Sequence, residues 1–235
     1  MFTHVLWDAS FFYGSDLFEN YTDWLVQTIR AAIANPAVNW IVKTHPANVF
    51  RTAHGDVAES TEVTLVRDHF RELPDHVRLL LPETRISTRS LYEFADYGVT
   101  VRGTAGMEMA CFGKAVFTAG TGAYSGLGFT TDSASVEEYL DRLSCIQEYG
   151  PLGATAQQRA RRYVHALFVR RPWAARSFRL VFDFPESGWN PLDRNVEWAV
   201  PTVRSLHDCG DLDAWASWVL NHDSVDYLEA TTTVG

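Results

Sequence analysis

The residues best suited to chemistry lie in short polar or glycine-rich stretches, each placed just after an apolar run. Lys43-Thr44-His45-Pro46 brings together an ammonium and an imidazole, both able to donate hydrogen bonds to a phosphate, and Pro46 stiffens the turn that presents the ring. In Gly103-Thr104-Ala105-Gly106, small residues let backbone approach a ligand where a helix begins, and helix-terminal N–H groups there favour an anion. Thr104 adds a hydroxyl. Glu108 follows one helical turn later on the same face, where its carboxylate can accept hydrogen bonds from a ribose diol. Gly120–Gly128 holds four glycines and Tyr124, a composition that can wrap a base or a pyrophosphate, with Gly122 and Tyr124 as candidate contacts. Asp8 ends the first apolar run and is the acidic candidate for a place at the reaction centre.

Each stretch also admits a structural role. His45 can be satisfied by a backbone carbonyl with Lys43 at the surface, and Glu108 can be an exposed first-turn residue favoured by the helix dipole. The glycines can be plain turns, and Asp8 a turn cap. Other chemistries lack their motifs. There is no H-E-x-x-H, no G-x-S-x-G elbow and no Walker G-x-x-x-x-G-K-[ST]. The dinucleotide signature is absent after the first strand, and Gly120-Thr121-Gly122-Ala123-Tyr124-Ser125 does not supply it later. Metal ligands at useful spacing are also missing, which argues against a metal-dependent transferase and for a site that works without metal or cofactor.

The elements that must position these residues follow from alternating β-branched runs and helix-period segments, the pattern of a parallel sheet with helices on both faces. Strands are expected at His4–Trp7, Val38–Lys43, Val77–Leu81, Gly98–Arg102 and Ala115–Ala119, and helices at Tyr21–Ala34, Glu59–Phe70, Ser87–Ala95, Ala105–Phe112 and Val136–Tyr149. In such a sheet, ligands bind beyond the carboxyl ends of the strands, where Asp8, Lys43, His45, Gly103 and Thr104 all fall. After Pro151 the pattern changes to a helix at Ala154–Val169 and a Trp-rich remainder broken by Pro and Gly. The expected division is a Rossmann-like α/β domain over 1–150 and a helical appendage over 151–235.

Bulk properties narrow the partners. At 235 residues the chain can bury a substantial core, and its net charge of −9 disfavours nucleic acid, which calls for a basic surface. Cys111, Cys145 and Cys209 form no C-x-x-C pair and read as reduced thiols. No leader-like or membrane-spanning run is present, so the expected location is the cytoplasm. Between Gln157 and Arg179 stand seven arginines and no acidic residue. That density reads either as a solvated helix face or as peripheral contact with anionic lipid or a polyanionic acceptor.

Trp40-Ile41-Val42-Lys43-Thr44-His45-Pro46, the run from Asp96 to Glu108, and Phe112-Gly113-Lys114-Ala115-Val116-Phe117-Thr118-Ala119-Gly120 together resemble the capsule polysaccharide biosynthesis family. The resemblance spans residues 4 to 145 or so. Members of that family look like GT-B glycosyltransferases, in which two Rossmann-like domains face each other and the C-terminal one holds the nucleotide sugar. The resemblance implies that this chain is that C-terminal half. Related Kdo transferases and polysialyltransferases carry a His-Pro motif and a Ser/Thr motif on the phosphate of a CMP-linked sugar, which implies these roles for His45-Pro46 and Thr104. Glu108 sits where many GT-B enzymes place a ribose-binding carboxylate. The implied partners are a nucleotide-sugar donor, a glycan or glycolipid acceptor, and a separate N-terminal acceptor-binding domain that would supply the general base. The abrupt start at a strand-like run also suggests a fragment or a split protein. Two other readings stay open: a UDP-sugar 2-epimerase half, and a non-catalytic nucleotide-binding or assembly subunit.

Overall fold

The computed structural model describes residues 1–6, 16–48, 59–171, 175–182 and 194–221. The chain divides into two units, Met1–Val164 and His165–Gly235.

In the first unit, α1 (Tyr21–Ala34) begins at Asn20, whose side chain accepts from the Asp23 N–H at 2.9 Å, and ends at Asn35 before Pro36. Its Trp24, Leu25, Ile29 and Ala32 recur at helical spacing and are fully buried against the sheet. The core strands are β1 (Trp40–Lys43), β2 (Val77–Leu80), β3 (Tyr97–Thr100), β4 (Ala115–Thr118) and the short β5 (Thr131–Asp132). Between and after them run α2 (Thr61–His69), α3 (Thr88–Phe94), α4 (Thr104–Cys111), α5 (Val136–Ser144) and α6 (Ala154–His165).

Strands β1 and β2 pair in parallel, as do β3 with β4 and β4 with β5. The segment Met1–Thr3 joins the two groups. Phe2 bridges Lys43 in parallel, through Lys43 N–H to Met1 O at 2.9 Å and Thr3 N–H to Lys43 O at 3.1 Å. On its other side Phe2 N–H donates to Val99 O at 2.9 Å. Counting that segment as the first strand, the spatial order is 3-2-1-4-5-6, the order of doubly wound nucleotide-binding sheets. The α/β architecture with parallel strands is therefore as expected and is consistent with a Rossmann-like fold.

Three expectations need correction. The first sheet segment is Met1–Thr3 rather than His4–Trp7, because the backbone pairs at Phe2; Trp7 and Asp8 lie outside the described residues. A sixth strand, β5, was missed because two residues carry no readable period. The C-terminal part is not wholly helical. Its unit holds an antiparallel pair, β6 (Phe178–Phe182) with β7 (Arg194–Trp198), beside α7 (Val203–Cys209) and α8 (Asp211–Asn221). There the buried Asp211 carboxylate accepts from the N–H groups of Arg176 and Ser177 at 2.6 and 2.9 Å, tying the hairpin's lead-in to the start of α8.

The division also falls later than Pro151. Most of α6 belongs to the first unit, where Gln157 Nε2 and Arg161 Nε donate to Cys111 O, Arg159 to Leu127 O and Tyr163 Oη to Ala123 O. Arg159 and Arg161, two of the seven arginines, are thus engaged by backbone carbonyls of the first unit. Arg176 bonds Cys209 O and Arg179 pairs with Glu197, so the cluster is not one continuous solvated face.

Candidate functional site

The strand order reverses between Met1–Thr3 and β3, and in open α/β sheets the crevice at the carboxyl side of that point is the ligand site. A cavity of about 280 Å³ lies there. The β1 end contributes Lys43, Thr44, His45 and Pro46; the first segment Phe2, Thr3 and His4; α3 Thr88 and Tyr92; and the β3–α4 junction Thr100, Gly103, Thr104, Ala105 and Glu108. A larger cavity of about 450 Å³, lined by Asn39, Ile41, Phe94 and Tyr97 among others, sits at the amino ends of β1 and β3. The smaller one is the better candidate, since it is where the hydrogen-bond donors converge.

His45 is held by its own turn. The Ala47 N–H donates to His45 Nδ1 at 3.1 Å, so the neutral ring carries its proton on Nε2 as a donor. Lys43 is not at the surface. It is 5 % exposed, with Nζ donating to Thr44 O at 3.3 Å. Burial pushes its ammonium below the ordinary lysine value, and the Glu83 carboxylate acts against that shift. Thr44 is consumed structurally, its hydroxyl donating to Leu80 O at 2.8 Å.

Across the cavity, α4 starts at Gly103, which supplies no side-chain cap, so the first N–H groups of the helix are left to backbone, solvent or ligand. Thr104 is exposed at this end. Gly106 lies one turn in, and a Cβ there would collide with the Tyr124 hydroxyl. Glu108 hydrogen-bonds the Tyr92 hydroxyl; burial and this carboxylate both push the phenol well above its usual range.

Lys43, His45, Pro46, Gly103, Thr104, Ala105 and Glu108 are thus gathered around one cavity, with Gly106 just behind. Gly122 and Tyr124 are not. Tyr124 is 2 % exposed, stacks on Phe129 and donates from Oη to Gly103 O at 2.8 Å, bracing the α4 junction from beneath. Gly122 packs on Arg102, and its N–H goes to Ser125 Oγ. The glycine-rich loop is ordered from within, Asp132 accepting from Gly126 N–H, Thr118 Oγ1 and Thr130 Oγ1. Asp8 lies outside the described residues.

Two residues of this region were not singled out from sequence. His4 stacks on Tyr21, and its Nε2 lies 3.1 Å from Thr100 Oγ1 and accepts from Arg102 N–H at 3.4 Å. A histidine inside an apolar run gave no sign of this. Glu62 lies under the His45 turn.

Among the described residues, no group of His, Cys, Asp or Glu is arranged to hold a metal ion, and no helix is long and apolar enough to cross a membrane. No protein-family model and no curated protein matches the chain. Among solved structures, it is similar to the Thermosulfurimonas dismutans KpsC, beta Kdo 2,4 transferase, at 21% identity and a TM-score of 0.33. The match covers 57% of this chain and 35% of that one. A score of that size is a weak structural similarity.

Proposed function

We propose that this chain is the nucleotide-sugar-binding half of a metal-independent GT-B glycosyltransferase acting in capsule or other surface polysaccharide synthesis. The observation that supports the reading is the convergence of Lys43, the His45 Nε2–H and the uncapped start of α4 on one cavity at the strand-order reversal. These are three kinds of donor for one anion. A donor phosphate would sit between them, with Thr104 adding a hydroxyl and Glu108 facing the ribose.

In the transfer, an acceptor hydroxyl on a glycan or glycolipid attacks the anomeric carbon while the bond to the phosphate oxygen breaks. The electron pair leaves with the nucleotide, and Lys43, His45 and the α4 N–H groups stabilise that charge. The hydroxyl proton goes to a base from an acceptor-binding domain or from Asp8. CMP is the favoured nucleotide.

One observation favours a second reading, a nucleotide-binding subunit without catalysis. Among the described residues, the only carboxylate lining the cavity is Glu108, and it is bonded to Tyr92. Calorimetry of the folded chain against CMP, UDP and GDP tests the site, with CMP expected to bind tightest. Absence of heat with all three would remove the donor-site reading, and binding without sugar transfer or donor hydrolysis would favour the second.

A further inference from the structure

Glu62 opens α2 and is completely buried, at 0 % exposure, yet it does not line the cavity. Its Oε1 accepts from Asn48 Nδ2 at 2.6 Å, and its carboxylate also accepts from the His45 backbone N–H. Asn48 N–H donates in turn to His45 O at 3.2 Å. One carboxylate therefore ties both ends of the His45–Asn48 turn. The Thr3 side chain lies beside it as well, although neither Thr3 Oγ1 nor Glu62 Oε2 makes a well-formed hydrogen bond.

A buried carboxyl is costly, and a segment that needed only packing would be served as well by an apolar side chain of the same shape. Burial raises the Glu62 pKa, and the donors from Asn48, Glu62's own backbone, His45 and Thr3 act against that rise. Its contacts reach two of the chain segments that meet at the cavity: the turn after β1 and the inserted Met1–Thr3.

We propose that Glu62 is a positioning residue of the nucleotide-phosphate site, fixing the His45-Pro46 turn, and with it the direction of the His45 Nε2–H, against the Thr3 segment. The inference rests on the nucleotide reading above. Glu62 itself touches no substrate, since its side chain is sealed from the cavity.

The test uses the full chain as Glu62→Ala and Glu62→Gln, with two readouts: calorimetry against CMP and cytidine, and hydrogen exchange at the His45 amide without ligand. Glu62→Ala is expected to weaken CMP about ten- to hundredfold while leaving cytidine within about twofold. It should also speed His45 amide exchange by at least about tenfold, because that N–H loses its acceptor. Glu62→Gln keeps an acceptor oxygen for Asn48 and His45, so it should stay near wild type in both. Should Glu62→Ala fail to fold, Asn48→Ala removes one of the ties and should show the same pattern at smaller size. An unchanged His45 exchange rate in a folded Ala variant overturns the proposal, as does equal loss of CMP and cytidine affinity. Glu62→Gln behaving as badly as Glu62→Ala overturns it too. If wild type binds no nucleotide but His45 exchange still responds selectively, the nucleotide reading fails and the turn-holding role stands.

Discussion

The Ala47 N–H reaches back 3.1 Å to His45 Nδ1, so the loop that carries the imidazole also chooses its tautomer. With Nδ1 occupied as an acceptor, the neutral ring offers Nε2–H, and an anion in the cavity meets a donor without needing a protonated histidine.

Replacing His45 by Ala should therefore remove a hydrogen bond to the nucleotide phosphate while leaving the core intact. The expected loss is about 1.5–3 kcal/mol, or ten- to hundredfold in CMP affinity by calorimetry. Thermal melting should barely shift. A large drop in melting temperature with normal CMP binding by the folded fraction would make His45 a structural residue and leave the phosphate to Lys43 and α4.

Gly106→Ala should disturb the site through Tyr124. The added methyl meets the phenol oxygen, and moving that oxygen breaks its bond to Gly103 O beneath the start of α4. Stability should fall by about 1–3 kcal/mol, as for overpacking elsewhere. Gly106→Ala with Tyr124→Phe should recover part of that loss in urea denaturation. Strict additivity of the two changes would argue that the contact is not the cause.

Tyr139 is a core hydrogen-bonding centre: Trp24 Nε1 donates to its Oη at 2.9 Å, and Thr28 Oγ1 lies 3.0 Å away. Tyr139→Phe leaves the Trp24 N–H and the Thr28 hydroxyl buried without that partner. The variant should lose about 1–3 kcal/mol and melt several degrees lower by circular dichroism. A shift within about one degree would mean that water or a rearranged Thr28 replaces the phenol.

Glu62 gives stability a pH dependence of definite sign. Burial raises its folded-state pKa above the ordinary glutamate value of 4.5, so between the two values the folded chain holds more of the proton than the unfolded chain does. Its contribution is fully present below about pH 4.5 and is lost as pH rises through the folded value. Glu62→Gln should gain stability relative to wild type as pH climbs above 4.5, read from urea midpoints across a pH series. A constant difference would show that the carboxyl titrates normally in the folded chain.

Much of the sheet was legible because β-branched runs such as Trp40–Lys43 and Ala115–Thr118 stand between polar turns, and the β1 and β3 exits could be named from that alone. The inserted first segment was misplaced because pairing, not hydropathy, decides which of the opening residues lies in the sheet. Tyr124 looked like a ligand contact because glycine-rich loops carry ligands. It stacks instead on Phe129, which Tyr163 backs, and bonds Gly103 O, and neither Tyr163 nor Gly103 lies near enough in sequence for a local pattern to reveal it. Lys43 and Glu62 were opaque for a related reason: a charged residue at a strand end or in a helix's first turn looks the same whether solvent or a turn receives it. The β6–β7 pair was hidden by surrounding aromatics that also fit helices.

The cavity has walls from both sides of a seam that Met1–Thr3 fills, with pairing partners about forty positions away on β1 and nearly a hundred away on β3. Closing such long loops is entropically slow, so this seam should be among the last parts of the sheet to zip and the first to open. A bound nucleotide would clasp it. By holding the β1 turn to the α4 start, the ligand should slow unfolding more than it speeds folding, and kinetic persistence would report occupancy of the site.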